Sequence, residues 1–329
     1  MGRWSWERVV SVLLLAPSVI AIAVFVYGFI GFTAYVSLSK WNQLLPDLTL
    51  VGLRNYSELF ADLRFRIDLR NTVAFTLLFL AACLSVGFLL AYLLDQRIKG
   101  EGFFRSIYLF PMAISFIVTG VVWRWLLNPG TTEGGSTGVN LLFEKAGLGF
   151  LKWGWFTDPR VLYIHPDSQV GVFLKQIGLG GLAHPNFGLS LGIISVVIAA
   201  AWQMSGYTMA MYLAGLRAIP DELREAARVD GASEWQILRH IILPLLQPVT
   251  LSAVIVLGHI SLKIYDLVVA MTGPGPGFST DVPAYFMWET TFEANRFYQG
   301  ASIAIVLLLM VAVLIVPYLI YSTRTEAEI

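Results

Sequence analysis

Cysteine and charge are both scarce in this chain of 329 residues. The only cysteine, Cys83, lies inside an apolar run, so no internal disulfide can form, and the four histidines do not show metal-ligand spacing. Charged residues make up 13% of the sequence, about half of the share found in soluble domains. The net charge is zero, which gives no indication of a nucleic-acid partner.

A phosphate-binding loop is also absent from the sequence. No glycine is followed by lysine, which excludes the pattern G-x-x-x-x-G-K-[ST]. A membrane-embedded enzyme would need paired carboxylates or a metal cluster at the membrane surface, and we expect no matched basic partner or motif beside Asp158 or Asp167. We therefore predict no catalytic residue, no metal site and no cofactor in this chain itself.

Long hydrophobic runs dominate what is present. Hydrophobic residues make up 57% of the chain, and the mean hydropathy is +0.69. Several runs exceed the ~18–20 residues that cross a bilayer core. The sequence predicts an all-α, polytopic membrane protein that forms one transmembrane domain over residues 1–329. We place its six membrane helices at residues 9–38, 72–94, 106–127, 189–216, 244–271 and 300–321, with an outer loop at 128–188 and a cytoplasmic loop at 217–243.

The first run has two interpretations. Arg3 and Arg8 precede it, and Ala21, Ile22 and Ala23 resemble the cleavage site of a signal peptide. The apolar run continues well past that point to Leu38, which favours an uncleaved membrane anchor.

Basic residues indicate the orientation of the chain. They are denser in the short loop after the second span, which carries Arg97, Lys99 and Arg105, and in the loop 217–243. Because loops rich in lysine and arginine remain on the cytoplasmic side, both termini are predicted to be cytoplasmic.

The loop 217–243 is a charged island between two apolar runs. Pro220 and Asp221 suit the start of a helix, and Gly231 suits its left-handed end. Ser233 and Gln236 have the spacing of a capping box, which starts a second helix. The pattern predicts a helix, a turn and a second helix. On these residues alone, an ordinary amphipathic surface helix is the simpler interpretation.

The order of residues in this island carries a resemblance. Glu225-Ala226-Ala227, Gly231, Ile241 and Leu243-Pro244 follow one another at the spacing of the EAA signature. The segment therefore resembles the permease subunits of binding-protein-dependent ABC importers.

Other segments resemble the sugar permeases of that family. They include "FFRSIYLFPMAISFIVTGVVWRWLLNPG" (Phe103–Gly130) and "YDLVVAMTGPGPGFSTDVPAYF" (Tyr265–Phe286). Within the family, "LLDQRIKGEGFFR" and "HISLKIYDLVVAMTG" most resemble the glucose/mannose-type branch. The stretch Thr131–Gly188 is longer than the usual outer loop of a sugar permease, and no role is assigned to it.

The resemblance implies a type I ABC importer permease fold in a prokaryotic cytoplasmic (inner) membrane. It implies a second homologous permease subunit, two ATPase subunits that bind ATP and Mg, and an extracytoplasmic sugar-binding protein as partners, besides membrane lipid. The implied cargo is a mono- or disaccharide, with glucose or mannose as the specific expectation. The implied contacts with the ATPase subunits are Glu225, Ala226, Ala227, Asp230, Gly231 and Pro244.

Two groups of residues are candidates for the sugar path. The first consists of aromatic and hydrogen-bonding residues within spans, namely Arg124, Trp202, Gln203 and Tyr207. Arg124 has the alternative of reaching the outer surface, and Gln203 that of a hydrogen bond between helices. Trp123 is a further candidate in this group, and together with Trp125 it also suits an interface anchor, because both lie near the end of a span.

The second group is His259, Lys263 and Asp266 in the fifth span. On a continuous helix these residues would lie within roughly 60° of one another, ~22–33 Å along from Pro244, and so form one polar stripe in the outer half of the bilayer. The stripe either lines the sugar cavity or reflects a structural Lys263–Asp266 pair. The stretch Thr272–Thr280 is likewise read either as a re-entrant turn or as a flexible loop.

Two other function classes remain as alternatives. An ATP-independent secondary transporter would spread ionisable groups over several spans or show an internal repeat, whereas here these groups concentrate in one span. A membrane-embedded sugar transferase would need the catalytic groups that the loops lack.

Overall fold

The computed structural model describes residues 6–96, 98–131 and 133–326. Arg3 and Arg97, on which the first span and the orientation partly rest, lie outside the described residues, as does the side chain of Arg8. The α-helices are α1 Trp6–Ile22, α2 Phe29–Ser37, α3 Arg54–Ala61, α4 Leu63–Asp95, α5 Glu101–Leu109, α6 Phe116–Leu126, α7 Gly138–Lys145, α8 Gln169–Gln176, α9 Leu191–Ala218, α10 Asp221–Val229, α11 Glu234–Ile237, α12 Leu243–Leu245, α13 Gln247–Leu262, α14 Asp266–Met271, α15 Pro283–Trp288 and α16 Phe297–Glu326.

Four of the described helical stretches are long and apolar enough to cross a membrane by themselves: Val10–Ser37, Leu63–Asp95, Leu191–Ala218 and Phe297–Tyr318. Two bent pairs of helices raise the number to six if each pair crosses once. The six predicted spans equal that higher count. The predicted first and last residues of each span are not tested by it.

The third predicted span, 106–127, is not one straight helix. A 3-10 turn over Phe110–Ala113 separates α5 from α6, and the axis bends by 99°. Pro111 lacks the backbone N–H that would continue an α-helix there, and the Ser115 side chain accepts a hydrogen bond from the backbone N–H of Val118, which starts α6. Hydropathy marks the apolar run but does not register this break in its backbone.

The fifth predicted span, 244–271, is interrupted as well. A π-helical turn over Leu238–Ile242 precedes α12, and the axis bends by 60° before α13 starts at Gln247. The helix ends at Leu262 and resumes only at Asp266. A single helix through all of these residues was wrong.

The chain divides into two compact units, of which the first comprises Met1–Asp62 and Phe286–Leu308. Within it, the ring of Trp41 stacks on that of Phe297 with 4.7 Å between centroids, and the backbone N–H of Tyr298 donates to the Trp41 carbonyl. Ser302 donates to the carbonyl of Ser37. The prediction of one domain over the whole chain stays untested beside this division.

The second unit comprises Leu63–Tyr285 and Leu309–Ile329, and α4 and α9 form its centre. At their crossing, a Cβ on Gly87 would lie 2.6 Å from the Cβ of Thr208, so only glycine permits this approach. Phe75 and Phe79 are fully buried and stack on each other along the packed face of α4. A core of ten buried residues lies near the ends of α4 and α9 that adjoin the charged island: Ala91, Leu94, Met209, Tyr212, Leu213, Leu216, Ile219, Ile237, Ile242 and Leu246.

The long loop 128–188 has structure of its own. Asn140 accepts from the indole N–H of Trp155 and donates to the carbonyl of Trp153. Asp158 is 6% exposed, and hydrogen bonds from the Arg160 guanidinium hold the pKa of its carboxyl well below its usual range. The expectation that no basic partner accompanies Asp158 was therefore wrong. A two-stranded antiparallel ladder of β1 Val161–Leu162 and β2 Leu189–Ser190 closes the loop just before α9.

The glycine-proline stretch Thr272–Thr280 forms an ordered turn. The Asn71 side chain donates to the carbonyls of Phe278 and Asp281, at 2.8 and 3.0 Å. An ion pair of 2.6 Å joins Arg64 to Asp281, whose side chain is fully buried. Gly275 has φ +68°, a conformation that glycine adopts without strain. These contacts do not fit the alternative of a flexible loop.

Candidate functional site

The charged island, residues 217–243, is the predicted coupling loop and is called the coupling loop below. It contains the helix α10, which ends in a left-handed glycine turn. Gly231 has φ +84°. Its backbone N–H donates to the carbonyl of Arg228, and that of Ala232 donates to Ala227, which is the hydrogen-bond pattern of a Schellman motif. The sequence prediction of this turn is confirmed.

The second helix of the loop starts with the predicted capping box. The backbone N–H of Ser233 donates to Oε1 of Gln236 at 2.7 Å, and the backbone N–H of Gln236 donates to Oγ of Ser233 at 3.4 Å. An ion pair of 2.7 Å between Arg228 and Glu234 spans the turn. The turn between the two helices is therefore fixed by local contacts at both ends.

Arg224 connects α10 to the ends of α4 and α9. Its Nη1 lies 2.7 Å from Oδ2 of Asp95, the last residue of α4, and its Nη2 donates to the carbonyl of Leu216 near the end of α9. The two side chains are 15% and 9% exposed. One guanidinium group thus ties the coupling loop to the ends of two packed helices. A second pair, Arg217 with Glu101 at 2.7 Å, is more exposed.

The opposite face of the coupling loop is open. Among the predicted ATPase contacts, Ala227 is half-buried, whereas the other five are exposed: Glu225, Ala226, Asp230, Gly231 and Pro244. Large apolar side chains lie among them, because Leu223, Val229 and Trp235 are 45%, 87% and 65% exposed. A surface that combines exposed apolar groups with charges in this way is typical of a docking site for another protein.

Gln203 makes a hydrogen bond between two helices of this chain. Its Nε2 donates to the carbonyl of Ile114 at 2.6 Å, at the bend between α5 and α6 where that carbonyl has no helical partner. One turn further, a Cβ on Gly206 would overlap the carbonyl oxygen of Tyr108. The interhelical hydrogen bond, which was one of the two interpretations of Gln203, is the one that the structure contains.

The other candidates in the third and fourth spans lie nearer the surface. The rings of Trp123 and Trp202 meet edge to face, with 5.9 Å between centroids, and Trp202 is 41% exposed. Arg124 is exposed and Tyr207 is half-buried. These contacts leave their role in a sugar path a prediction.

The polar stripe of the fifth span was predicted on a continuous helix, and this geometry was wrong. Lys263 follows the last residue of α13, with φ −115°, and Asp266 is the first residue of α14. A cation at a C-terminal helix end and an anion at an N-terminal end are both favourable to the helix dipoles, so these two residues suit the positions on either side of the break. Within the described residues no ion pair joins these two exposed side chains, and Nδ1 of His259 is buried without a hydrogen-bond partner.

Sequence reasoning missed the polar residues by which α4 contacts distant segments of the second unit. Arg64 and Asn71 lie on one face of α4, at the spacing i and i+7, and were read only as residues before a span. Asp95 was treated as part of a loop. The available signal was a set of polar residues at helical spacing on an otherwise apolar helix.

The sequence pattern of the family described as "binding-protein-dependent transport system inner membrane component" matches residues 103–323. The chain belongs to this family. A probable ABC transporter permease protein of Pyrococcus horikoshii is 40% identical over 316 residues, which cover 96% of each chain. The xylose/arabinose import permease protein XacH of Haloferax volcanii is 33% identical over 307 residues, covering 93% of this chain and 85% of that protein.

A solved structure has the same fold. A chain in the crystal structure of a bacterial ABC transporter involved in the import of the acidic polysaccharide alginate aligns with a TM-score of 0.68, over 94% of this chain and 96% of that one, at 20% identity. Together with the family, this confirms the predicted all-α permease fold of type I ABC importers. The family is one of transport components of the inner membrane rather than of enzymes.

Proposed function

We propose that this chain is the permease subunit of an ATP-driven importer of sugars or oligosaccharides, which works with a second permease subunit, two ATPase subunits and an extracytoplasmic binding protein. The observation that carries the proposal is the coupling loop. One of its faces is exposed, and on the other face Arg224 bonds to α4 and α9. The xylose/arabinose relative supports a carbohydrate as cargo. The finer expectation of glucose or mannose has no support from the relatives and stays a prediction.

The ATPase subunits would bind ATP and Mg and dock on the open face of the coupling loop. Because Arg224 bonds both to Asp95 of α4 and to the carbonyl of Leu216 in α9, a displacement of α10 would be transmitted to both helices. The short α10 would then act as a rigid lever between the ATPase and the membrane helices.

The two broken helices support the predicted sugar path. Irregular backbone inside a membrane is tolerated where it is buried in protein or lines an aqueous cavity. At the bend between α5 and α6, Gln203 satisfies the freed carbonyl. At the break after α13, Lys263 and Asp266 stay exposed and unpaired with each other, as expected for groups that face water and sugar hydroxyls.

Uptake by the assembled transporter tests this function. The complex would be co-purified through the permease, reconstituted into liposomes with its binding protein, and supplied with ATP and a panel of xylose, arabinose, glucose, mannose and disaccharides. We expect ATP-dependent uptake of at least one of these sugars, with sugar-stimulated ATPase activity. Uptake that persists without ATPase subunits would instead support a secondary transporter.

Glu225→Lys is the variant that addresses docking. It reverses the charge at an exposed position of the coupling helix, so we expect loss of assembly or of sugar-stimulated ATPase activity. Glu133→Lys makes the same charge change on an exposed residue of the long loop and serves as the matched control. Normal coupling in Glu225→Lys would contradict the proposed docking surface.

A further inference from the structure

A groove in the second unit combines two arginines with apolar walls, and we call it the arginine groove. It has a volume of about 670 Å³. Arg66 and Arg70 lie at one end of it. Its remaining lining is apolar, and comes from one face of α4 and from the residues just before α9: Leu69, Val73, Ala74, Leu77, Phe187, Gly188 and Leu189.

The charge pattern of α4 places this groove at a membrane boundary. Every second residue from Asp62 to Arg70 is charged, and no charged residue occurs between Arg70 and Asp95. The helix has 33 residues, or about 50 Å at 1.5 Å per residue, which exceeds a hydrocarbon core of ~30 Å. The two arginines therefore lie at headgroup level. Leu77 lies about 10 Å further along the helix than Arg70, at the level of acyl chains.

The guanidinium groups of Arg66 and Arg70 differ in their hydrogen bonds. Nη1 of Arg70 donates to the carbonyl of Pro185, which fixes the group beside the apolar wall. Arg66 is exposed and makes no hydrogen bond or ion pair with the described residues. Thus one arginine is held in position and the other is free to bind an anion.

The walls distinguish a lipid from a free anion. Val73, Leu77 and Phe187 are 52%, 64% and 65% exposed, so the chain by itself leaves them uncovered. An inorganic anion would contact the arginines but leave this apolar surface without a partner. A ligand with a phosphate at one end and hydrocarbon at the other matches both parts.

We propose that the arginine groove binds an anionic glycerophospholipid, with its phosphate between Arg66 and Arg70 and an acyl chain along Val73, Leu77 and Phe187. The groove shares no lining residue with the coupling loop or with the predicted sugar path. It rests on membrane residence, which the family shows, and not on the identity of the cargo.

The test uses the assembled transporter in nanodiscs that contain phosphatidylcholine and phosphatidylglycerol. Native mass spectrometry after release counts the phosphatidylglycerol that remains bound. We expect wild type to retain phosphatidylglycerol in preference to phosphatidylcholine, and Arg66→Gln to retain it about fivefold less, as follows from the loss of one basic group near an anionic headgroup. Inorganic phosphate in excess should not displace the lipid.

Two further variants separate the parts of the site. Leu77→Trp fills the apolar wall without changing charge and should abolish the preference. Lys145→Gln removes a cation from the exposed surface of α7 and should change nothing. Equal phosphatidylglycerol retention in wild type, Arg66→Gln and Leu77→Trp would overturn the proposal. So would displacement by inorganic phosphate, or crosslinking of Leu77→Cys to the second permease subunit, which would make that subunit the occupant.

Discussion

Arg224 connects the coupling helix to the rest of the second unit through one side chain. Its ion pair with Asp95 is largely removed from water, and the carbonyl of Leu216 takes a further hydrogen bond. Removing one member of such a pair leaves the other as an unpaired buried charge, which typically costs about 3–5 kcal/mol. Replacing both members by apolar residues avoids that penalty.

We therefore predict that Arg224→Met and Asp95→Leu each lower the thermal stability of the assembled complex and weaken the coupling of ATPase activity to sugar. The double variant should recover stability but not coupling, because the link between α10 and α4 is still missing. The matched control is Arg217→Met, which breaks a more exposed pair and should have a smaller effect on stability. Full coupling in the double variant would contradict the role of Arg224 as a link.

Gly231 gives a second prediction at the residue scale. A Cβ at this position would meet no atom within 4 Å, so a substitution acts only through the backbone conformation. Gly231→Val should therefore cost about 1–2 kcal/mol and displace the second helix of the loop. Gly231→Asn, which tolerates the left-handed region better, is the control. The readouts are melting temperature and sugar-stimulated ATPase activity, and equal values for the two variants would contradict this account.

Local chemistry predicted the turn and the capping box of the coupling loop because glycine, serine and glutamine act on their immediate neighbours. It could not predict the Arg224–Asp95 pair, whose members are 129 residues apart in sequence. Likewise, the family resemblance implied a set of contacts with the ATPase subunits, which stays a prediction, but it could not show that Arg224 links this segment to α4 and α9.

At the scale of elements, the two broken helices are the main difference between expectation and structure. Hydropathy averages over a window, so it reports an apolar run without reporting whether its backbone is continuous. Pro111 was a visible sign of the first break. The break between α13 and α14 has no proline or glycine, and Lys263 and Asp266 mark it only as charges suited to opposite helix ends. Its position depends on tertiary packing.

This break leads to a prediction for the fifth span. Since Lys263 and Asp266 do not pair in the described structure, Lys263→Ala and Asp266→Ala should each assemble normally but lose uptake or change sugar preference. Exchanging the two charges in one variant should not restore uptake. Rescue by that exchange, or normal transport of all sugars by the alanine variants, would contradict a place on the sugar path.

Gln203→Leu is the structural counterpart of these variants. It would leave the carbonyl of Ile114 buried without a partner, at a cost of about 1–3 kcal/mol. We expect reduced assembly and a lower melting temperature rather than altered sugar preference. This contrast separates residues that hold the path open from residues that contact its contents.

At the scale of the whole molecule, the apolar runs predicted an all-α membrane protein, and the permease fold was implied by the family resemblance that the residues of the charged island carry. The internal order of the long loop was not predictable in this way. Asn140 bonds to Trp153 and Trp155, and the Asp158 carboxylate accepts from the indole of Trp153, and the spacing of these residues follows no helical or strand period. The orientation of the chain rests on the distribution of lysine and arginine, which predicts the long loop outside and the coupling loop in the cytoplasm.

Thiol labelling can test that orientation with little background, because the only native cysteine, Cys83, is 0% exposed. Phe150 in the long loop is 81% exposed and Val229 in the coupling loop 87% exposed, so cysteines at these positions are matched in accessibility. A membrane-impermeant maleimide should label Phe150→Cys in intact cells and Val229→Cys only after permeabilisation. Addition of the ATPase subunits to permeabilised membranes should then slow the labelling of Val229→Cys alone. Labelling of Val229→Cys in intact cells would reverse the orientation and remove the coupling loop from the reach of a cytoplasmic ATPase.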